Sequence, residues 1–407
     1  MTSGSFYDNV PLAETDPIVV VLQKYAKDPS PKKVDLSIGV YKPEDGDIKY
    51  VFPSVKKAKT EIYNHDEGHP YHSMAGYPQF VEGAQKVVFG DDRPREGRTT
   101  SIQTISGTGA IHLGIEFVKR LGLKDFYVGV PTWGNYQGMI ESEDCNVEFF
   151  NHYDKASGTA DVDAVLSTID TMPDHSVLLL QACCHNPTGA DYTQDQWKQI
   201  CAKLKNRHIF TFFDIAYQGF ASGNKDTDAW AIRYFYDQGL EFLAAESFSK
   251  NMGLYGERLG CLHVVSKNPK NISSVHSSLV SIFRSQCSFG PLFGARIASY
   301  LFTDFKEEWD QDVLTISDRL SGLRNQILNK FKALQTPGNW EPVVRQNGLF
   351  WFSGLSKEQI EDLTESYHIY IPLNGRFNVA GFNDSNLDYI IESIDKVVRK
   401  TQTEASL

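Results

Sequence analysis

The sequence has no stretch that approaches the roughly 20 consecutive apolar residues a membrane-spanning helix needs. It has no block of lysine or arginine, and its net charge is −11. Nucleic acid and anionic membrane are therefore poor partners. Its six cysteines, Cys145, Cys183, Cys184, Cys201, Cys261 and Cys287, form no C-x-x-C pair and no paired framework. That argues for reduced thiols and against a secreted scaffold or a zinc cluster, so no metal is expected. Adjacent Cys183 and Cys184 read as small buried residues. The first ten residues show neither a basic-then-apolar signal peptide nor an Arg-rich amphipathic presequence, which makes the cytosol the expected location. There is no internal repeat and no low-complexity segment. What remains is a chain of 407 residues, 41% hydrophobic and 22% charged, with ample material for two or three domains around a large core.

Apolar periodicity orders the chain. Residues 1–12 read as an irregular arm, and Pro17–Lys27 as a short amphipathic helix. Val34–Tyr41 alternates like a strand and runs into the turn cluster at 43–47. A helix is expected over Val55–Asn64. Ser101–Ile105 is strand-like and leads through Ser106-Gly107-Thr108-Gly109 into a helix with Ile111, Ile115 and Val118 on one stripe. Phe126–Val130 is the next strand. Val177–Cys184 is a continuous apolar run, as expected of a strand covered on both faces. Thr193 and Gln196 have capping-box spacing, and Trp197, Ile200, Cys201 and Leu204 form one helix face. His208–Asp214 follows as a strand. This β-α-β unit predicts parallel strands with ligands gathered at their C-terminal ends. Phe242–Ala245 and Cys261–Val265 are further strands. From Trp309 to Leu334 apolar residues recur at helical spacing, predicting one long helix. Strands at 348–352 and 377–380 and a closing helix marked by Leu387, Ile390, Ile391, Ile394 and Val397 complete the chain.

Between two of these strands lies Ser247-Phe-Ser-Lys-Asn-Met-Gly-Leu-Tyr-Gly-Glu-Arg-Leu-Gly260. Lys250 is flanked by two hydroxyls, Ser247 and Ser249, and followed by Arg258. Small donors plus one planar cation suit a phosphate. Ser106-Gly107-Thr108-Gly109, between a strand and a helix, places free N–H groups and the positive helix end toward an anion. It lacks the third glycine of a dinucleotide fingerprint. An amine beside a bound phosphate monoester points to pyridoxal phosphate, held as a Schiff base at one end and by its phosphate at the other.

The motif around Lys250 resembles the pyridoxal-phosphate attachment signature of class I aminotransferases and, within them, of the aspartate aminotransferase family. The resemblance runs from about residue 6 to the C-terminus. It implies an α/β fold of type I: a large domain with a mostly parallel sheet and helices on both faces, and a small α+β domain. On that pattern residues 1–12 are an arm, 13–47 and 316–407 form the small domain, and 48–315 form the large cofactor-binding domain. The family's homodimer shares its active sites between subunits. The resemblance places Ser106, Gly107, Thr108, Ser247, Ser249 and Arg258 on the cofactor phosphate, with Tyr71 reaching the partner's phosphate. Trp133 covers the ring and helps bind the substrate carboxylate. Asn186 bonds the ring oxygen and the substrate. Asp214 keeps the ring nitrogen protonated, and Tyr217 bonds the ring oxygen and adjusts the basicity of the imine. Gly39 lies beside the substrate. Arg376 takes the substrate α-carboxylate, and Arg284, with Ser288 near it, takes the side-chain carboxylate from the partner subunit.

The implied reaction is a ping-pong transfer. Aspartate displaces Lys250, whose amine moves the α-proton, and Asp214 stabilises the resulting charge. Oxaloacetate leaves, and 2-oxoglutarate reverses the steps to give glutamate. The chain departs from the family at three places. Tyr136 and Gln181 stand where histidines are usual, and the residues after Arg284, including Gln286, Cys287, Phe289 and Gly290, replace a commoner Tyr and Asn-Pro-Pro pattern. A looser rim there would admit aromatic donors, which keeps a broad-specificity or aromatic aminotransferase open. A non-catalytic ligand binder would not need the set Lys250, Asp214 and Arg376.

Overall fold

The structure is a computed structural model that describes residues 5–404. Residues 1–4 of the expected arm lie outside the described residues. Residues 5–12 are exposed and form no helix or strand.

A seven-stranded sheet organises the molecule. Its strands in chain order are β1 (Thr99–Ile105), β2 (Asp125–Val130), β3 (Asn146–Asn151), β4 (Val177–Gln181), β5 (Phe210–Ile215), β6 (Phe242–Ser247) and β7 (Leu259–Val265). Their spatial order is β1-β7-β6-β5-β4-β2-β3. All pairs are parallel except those of β7, which runs antiparallel to β1 and β6. The predicted crossover is present: β4, the helix Gln194–Leu204 with its Thr193/Gln196 capping box, then β5.

Period-2 alternation explains the two cores. Val177, Leu179, Leu243, Ala245, Leu262 and Val264 point into one buried cluster. Their neighbours Leu178, Leu180, Phe242, Ala244, Cys261 and Val265 point into the other. Burying each large apolar side chain is worth about 1.5–3 kcal/mol, so a one-residue slip in any central strand would forfeit several such terms at once.

The remaining elements pair across the chain's length. Val34–Asp35 lies parallel to Ile369–Tyr370, and Phe350–Phe352 antiparallel to Arg376–Asn378. The long helix runs Lys306–Leu334, with Trp309, Val313, Ile316, Leu320, Leu323, Ile327 and Phe331 buried. Its Trp309 Nε1 donates to Asn251 O at 2.6 Å, tying it to the residue after Lys250. No helix among the described residues is long and apolar enough to cross a membrane.

Several expected elements are shorter. The strand expected to Tyr41 stops at Asp35, because side chains take its later carbonyls: Asn378 Nδ2 donates to Ile38 O and Val40 O, each at 2.7 Å. The strand expected to Cys184 stops at Gln181, and Cys184 takes a left-handed φ of 51°. The strand expected over 377–380 gives way after Asn378 to a short turn, whose Ala380 N donates to the Asn378 side chain at 2.9 Å. Ser106-Gly107-Thr108-Gly109 is the first turn of the helix Ser106–Arg120. The sequence reading passed over β3, a largely exposed edge strand without clean alternation.

Candidate active site

The C-terminal ends of the parallel strands lie along one edge of the sheet. Because β7 runs the other way, its beginning joins them, and Arg258 sits beside the end of β1. Ser106 N donates to Arg258 O at 2.8 Å. Both residues are left-handed, with φ of 63° and 54°, a conformation that costs on the order of 1 kcal/mol or more outside glycine. Gly260 permits the approach: a Cβ there would lie 2.4 Å from Ser106 C. The hydroxyls of Ser106 and Ser249 are 3.1 Å apart, and Ser249 N donates to Ser247 Oγ at 3.3 Å. Gly107 packs so tightly on Ser247 that a Cβ would lie 2.8 Å from its Cβ.

These groups form one end of a cavity of about 230 Å³, lined also by Thr108, Gly39, Trp133, Asn186, Asp214, Tyr217, Lys250 and Tyr255. The N–H groups of the first helical turn have no helical acceptors. Together with Arg258 and the hydroxyls they make a cradle for a phosphate. Lys250 lies further in, its Nζ 4.9 Å over the Tyr217 ring. Burial lowers its pKa to about 8; Asp214 opposes the shift, and Arg258 and Arg376 add to it. Asp214 is pushed up to about 6 by burial, against a hydrogen bond from Tyr136 and the charge of Lys250. The Tyr136 hydroxyl donates to Asp214 Oδ2 at 2.5 Å. Burial raises the Tyr217 phenol further above its ordinary value. A phosphate cradle, a buried amine and a buried carboxylate around one cavity fit pyridoxal phosphate.

Next to this cavity, Arg376 Nη1 donates to Asn186 Oδ1 at 3.0 Å and Nη2 to Ser37 O at 2.7 Å. Its Nε is buried without a partner, and its guanidinium lies 4.1 Å over the Phe350 ring. Gln181 holds the Asn186 backbone on both sides: Asn186 N donates to Oε1 at 2.8 Å, and Nε2 donates to Asn186 O at 3.0 Å. Phe350 is itself positioned by Arg324, buried inside the long helix, which donates to Val343 O, Gly348 O and Phe350 O. Arg376, Asn186 and Trp133 also line a wider cleft of about 610 Å³, together with Ile18, Val21 and Leu373.

The structure thus brings together Gly39, Ser106, Gly107, Thr108, Trp133, Asn186, Asp214, Tyr217, Ser247, Ser249, Lys250, Arg258 and Arg376. It does not bring Tyr71, Arg284 or Ser288 to either cavity. Tyr71 is 85% exposed and stacked on Phe289 with ring centres 4.6 Å apart, and Arg284 is exposed on the helix Ile272–Gln286. The sequence reading missed Tyr255, which lines the cavity and accepts a hydrogen bond from Tyr41 N at 3.0 Å, and the carbonyl of Ser37. Tyr255 lay inside the Lys250 motif; the carbonyl left no sequence signal. Arg324 looked like any charged residue of a long helix. Cys183, Cys184 and Asp228 bring their ligand atoms within 4.8 Å of one another, all buried. The Asp228 oxygens already accept from Gly219 N, Ala221 N and the Ser222 hydroxyl, which folds the loop after Tyr217.

Comparison with known proteins agrees with this arrangement. The family model for aminotransferase class I and II matches residues 31–394. The aspartate aminotransferase from Saccharomyces cerevisiae cytoplasm is 35% identical, covers 97% of this chain and 99% of its own, and superposes with a TM-score of 0.93. An aromatic amino acid aminotransferase from Psychrobacter sp. B6, cocrystallised with aspartic acid, is 36% identical over 97% and 100%, with a TM-score of 0.94. An aromatic-amino-acid aminotransferase from Burkholderia pseudomallei, covalently bound to pyridoxal phosphate, is 31% identical over 97% and 100%, again with a TM-score of 0.94. The chain belongs to the class I and II aminotransferases and is a pyridoxal-phosphate-dependent transaminase of fold type I.

Proposed function

We propose that the enzyme is an aspartate aminotransferase, exchanging the amino group between L-aspartate and 2-oxoglutarate. The observation that carries this reading is the set formed by Lys250, Asp214 and Arg376 around two cavities that share Trp133 and Asn186, with the buried Arg376 Nε still without a partner. Bound there, pyridoxal phosphate supplies the electron sink that lets an amino acid give up its α-proton. Arg376, braced by Asn186 and Ser37, clamps the α-carboxylate. Lys250 removes the α-proton and returns a proton; an amine with a pKa near 8 is partly neutral at physiological pH and suits both tasks. Asp214 would keep the ring nitrogen protonated, and Trp133, Tyr217 and Asn186 would hold the ring. Gly39 packs closely here: a Cβ would lie 3.0 Å from the Phe350 ring and 3.8 Å from the Tyr217 hydroxyl. Ser106, Gly107, Thr108, Ser247, Ser249 and Arg258 hold the phosphate.

The same reading makes the enzyme a homodimer. Tyr71, Arg284 and Ser288 would complete the site of the partner, and the apolar arm residues Phe6, Tyr7, Val10 and Leu12, all exposed here, would be covered. Arg284 in the partner's pocket would select dicarboxylates. Cytoplasmic residence belongs to the same reading, supported by the yeast cytoplasmic relative. A second reading, a broad-specificity or aromatic aminotransferase, is favoured by one observation: the wider cleft has an apolar wall of Ile18, Val21 and Leu373 beside Arg376.

An absorbance titration separates the two. The pyridoxal form is mixed with L-aspartate, L-glutamate, L-phenylalanine or L-tyrosine and no keto acid. Conversion to the pyridoxamine form by the two dicarboxylates alone supports the aspartate enzyme. Equal conversion by the aromatic amino acids establishes the broad one.

A further inference from the structure

Four carbonyls of the segment that follows the short strand Val34–Asp35 are taken by Arg376 and Asn378. Asn378 N donates to Leu36 O at 2.8 Å, its Nδ2 to Ile38 O and Val40 O, and Arg376 Nη2 to Ser37 O. The rest of Ser37 is held by one side chain. Asp35 Oδ1 accepts from Ser37 N at 2.9 Å and from the Ser37 hydroxyl at 2.6 Å. Lys42 Nζ donates to Asp35 Oδ2 at 3.1 Å and to Asp35 O at 2.7 Å. The Asp35 and Lys42 side chains are 10% and 11% exposed. They line a groove of about 600 Å³ that shares no lining residue with the cofactor cavity or with the cleft beside it. The pair reaches Arg376 through Ser37.

We propose that Asp35, paired with Lys42, is a positioning residue for Arg376: it turns the Ser37 carbonyl toward the guanidinium and so sets the fork that receives the substrate α-carboxylate. This rests on the reading that Arg376 binds that carboxylate. A carboxylate with a cation on one oxygen and two donors on the other is fixed in direction. Removing either charge leaves its partner buried and unpaired, which is worse than exchanging both for neutral groups. An asparagine at 35 cannot serve both sides, since its amide nitrogen must face either the Lys42 ammonium or the Ser37 N–H. Every amino and keto acid of a transamination carries a carboxylate next to the reacting carbon, so the inference does not depend on which amino acid is the donor.

The test is steady-state kinetics of the holoenzyme with L-aspartate and 2-oxoglutarate, beside titration of the apoprotein with pyridoxal phosphate. Asp35→Asn is expected to raise both KM values by about 10-fold, with kcat within about threefold and the affinity for pyridoxal phosphate within about twofold. Lys42→Met moves KM in the same direction. The double variant Asp35→Asn/Lys42→Met keeps an amide oxygen for Ser37 with no ammonium against the amide nitrogen, and should bring KM back to within about threefold of the parent. If Asp35→Asn does not fold, Lys42→Met and the double variant carry the comparison. An unchanged KM in Asp35→Asn beside a raised KM in Arg376→Lys would overturn the proposal alone. So would a loss of pyridoxal phosphate affinity as large as the change in KM, the mark of a merely structural role, or a double variant whose losses simply multiply. An unchanged KM in both Asp35→Asn and Arg376→Lys would overturn the assignment of Arg376 to the carboxylate, and the proposal with it.

Discussion

Successive residues of β6 face opposite sides of the sheet and end in two different kinds of buried polar cluster. Ser247 faces the cavity with Lys250 and Asp214. Glu246 faces away, and its Oε2 lies 3.0 Å from His263 Nε2, whose Nδ1 lies 2.7 Å from the Ser101 hydroxyl. Serine, histidine and carboxylate in a row have the look of a nucleophilic triad. Both Glu246 and His263 are 0% exposed, however, and neither lines the cavity. Burial pushes Glu246 well above the ordinary carboxylate range and His263 down to about 3, each toward its neutral form. Perturbed titration marks both clusters equally. Space for a ligand, and polar atoms left unpaired toward that space, mark only one.

The largest expected contrast is in turnover. Lys250→Ala removes the lysine that lines the cavity with Asp214 and should lower kcat with aspartate and 2-oxoglutarate by about 10³-fold or more. Glu246→Gln should leave kcat within about twofold. A Lys250→Ala enzyme with unaltered turnover would sink the assignment of the proton-transferring residue; a large loss in Glu246→Gln would mean that the two faces of β6 are coupled. Arg376→Lys comes next. Lysine offers a point charge where the fork now meets Asn186 and Ser37, so kcat/KM should fall by about 10- to 100-fold. Steady-state kinetics with aspartate reads it, and an unchanged kcat/KM would remove Arg376 from the carboxylate site.

A pH experiment separates the clusters by accessibility. Lys250 is depressed to about 8, so its neutral, nucleophilic form is lost as pH falls below that value. The rate at which the apoprotein captures pyridoxal phosphate should rise by up to about tenfold per pH unit toward 8 and level off above it. Stopped-flow absorbance from about pH 6 to 9.5 measures this. A rate still climbing tenfold per unit at the top of that range would show an amine with its ordinary pKa.

The site was legible in the sequence where chemistry and local pattern coincide. Lys250, its flanking serines and Arg258 share one stretch, and Asp214 lies near the end of a strand, with Tyr217 three residues on, whose β-α-β context fixes the edge they occupy. The sheet was legible because β4, β5 and β6 are mostly apolar, with their acidic and amide residues near the ends. What escaped was set by tertiary contact. The Ser37 carbonyl under Arg376 and the three carbonyls on Arg324 are backbone atoms, which leave no residue-type signal. The strand after Val34 ended early because Asn378, far along the chain, took its carbonyls. Tyr136 was visible only as a departure from the usual histidine; the 2.5 Å bond to Asp214 gives it a physical role. Glu246 and His263, seen as sequence, were unremarkable members of two strands.

That pair yields the smallest and most discriminating effect. The folded Glu246 carboxyl holds its proton to higher pH than the unfolded chain does. Its contribution is therefore complete below the ordinary carboxylate pKa and is lost as pH rises from there toward the folded value. His263 acts in the opposite direction. Its folded pKa of about 3 lies below its unfolded value near 6.5, so its contribution is present above about 6.5 and is lost as pH falls toward 3. Glu246→Gln supplies a neutral donor to His263 Nε2 at nearly constant volume and abolishes only the loss at rising pH. The apoprotein's Tm at about pH 8 should therefore increase by roughly 1–3 °C, with little change at about pH 5. Differential scanning calorimetry across that range decides it. A uniform drop in Tm at both pH values would mean that Glu246 is ionised and paired with a charged His263. The second cluster would then be a buried ion pair, and its difference from the catalytic one would lie in access alone.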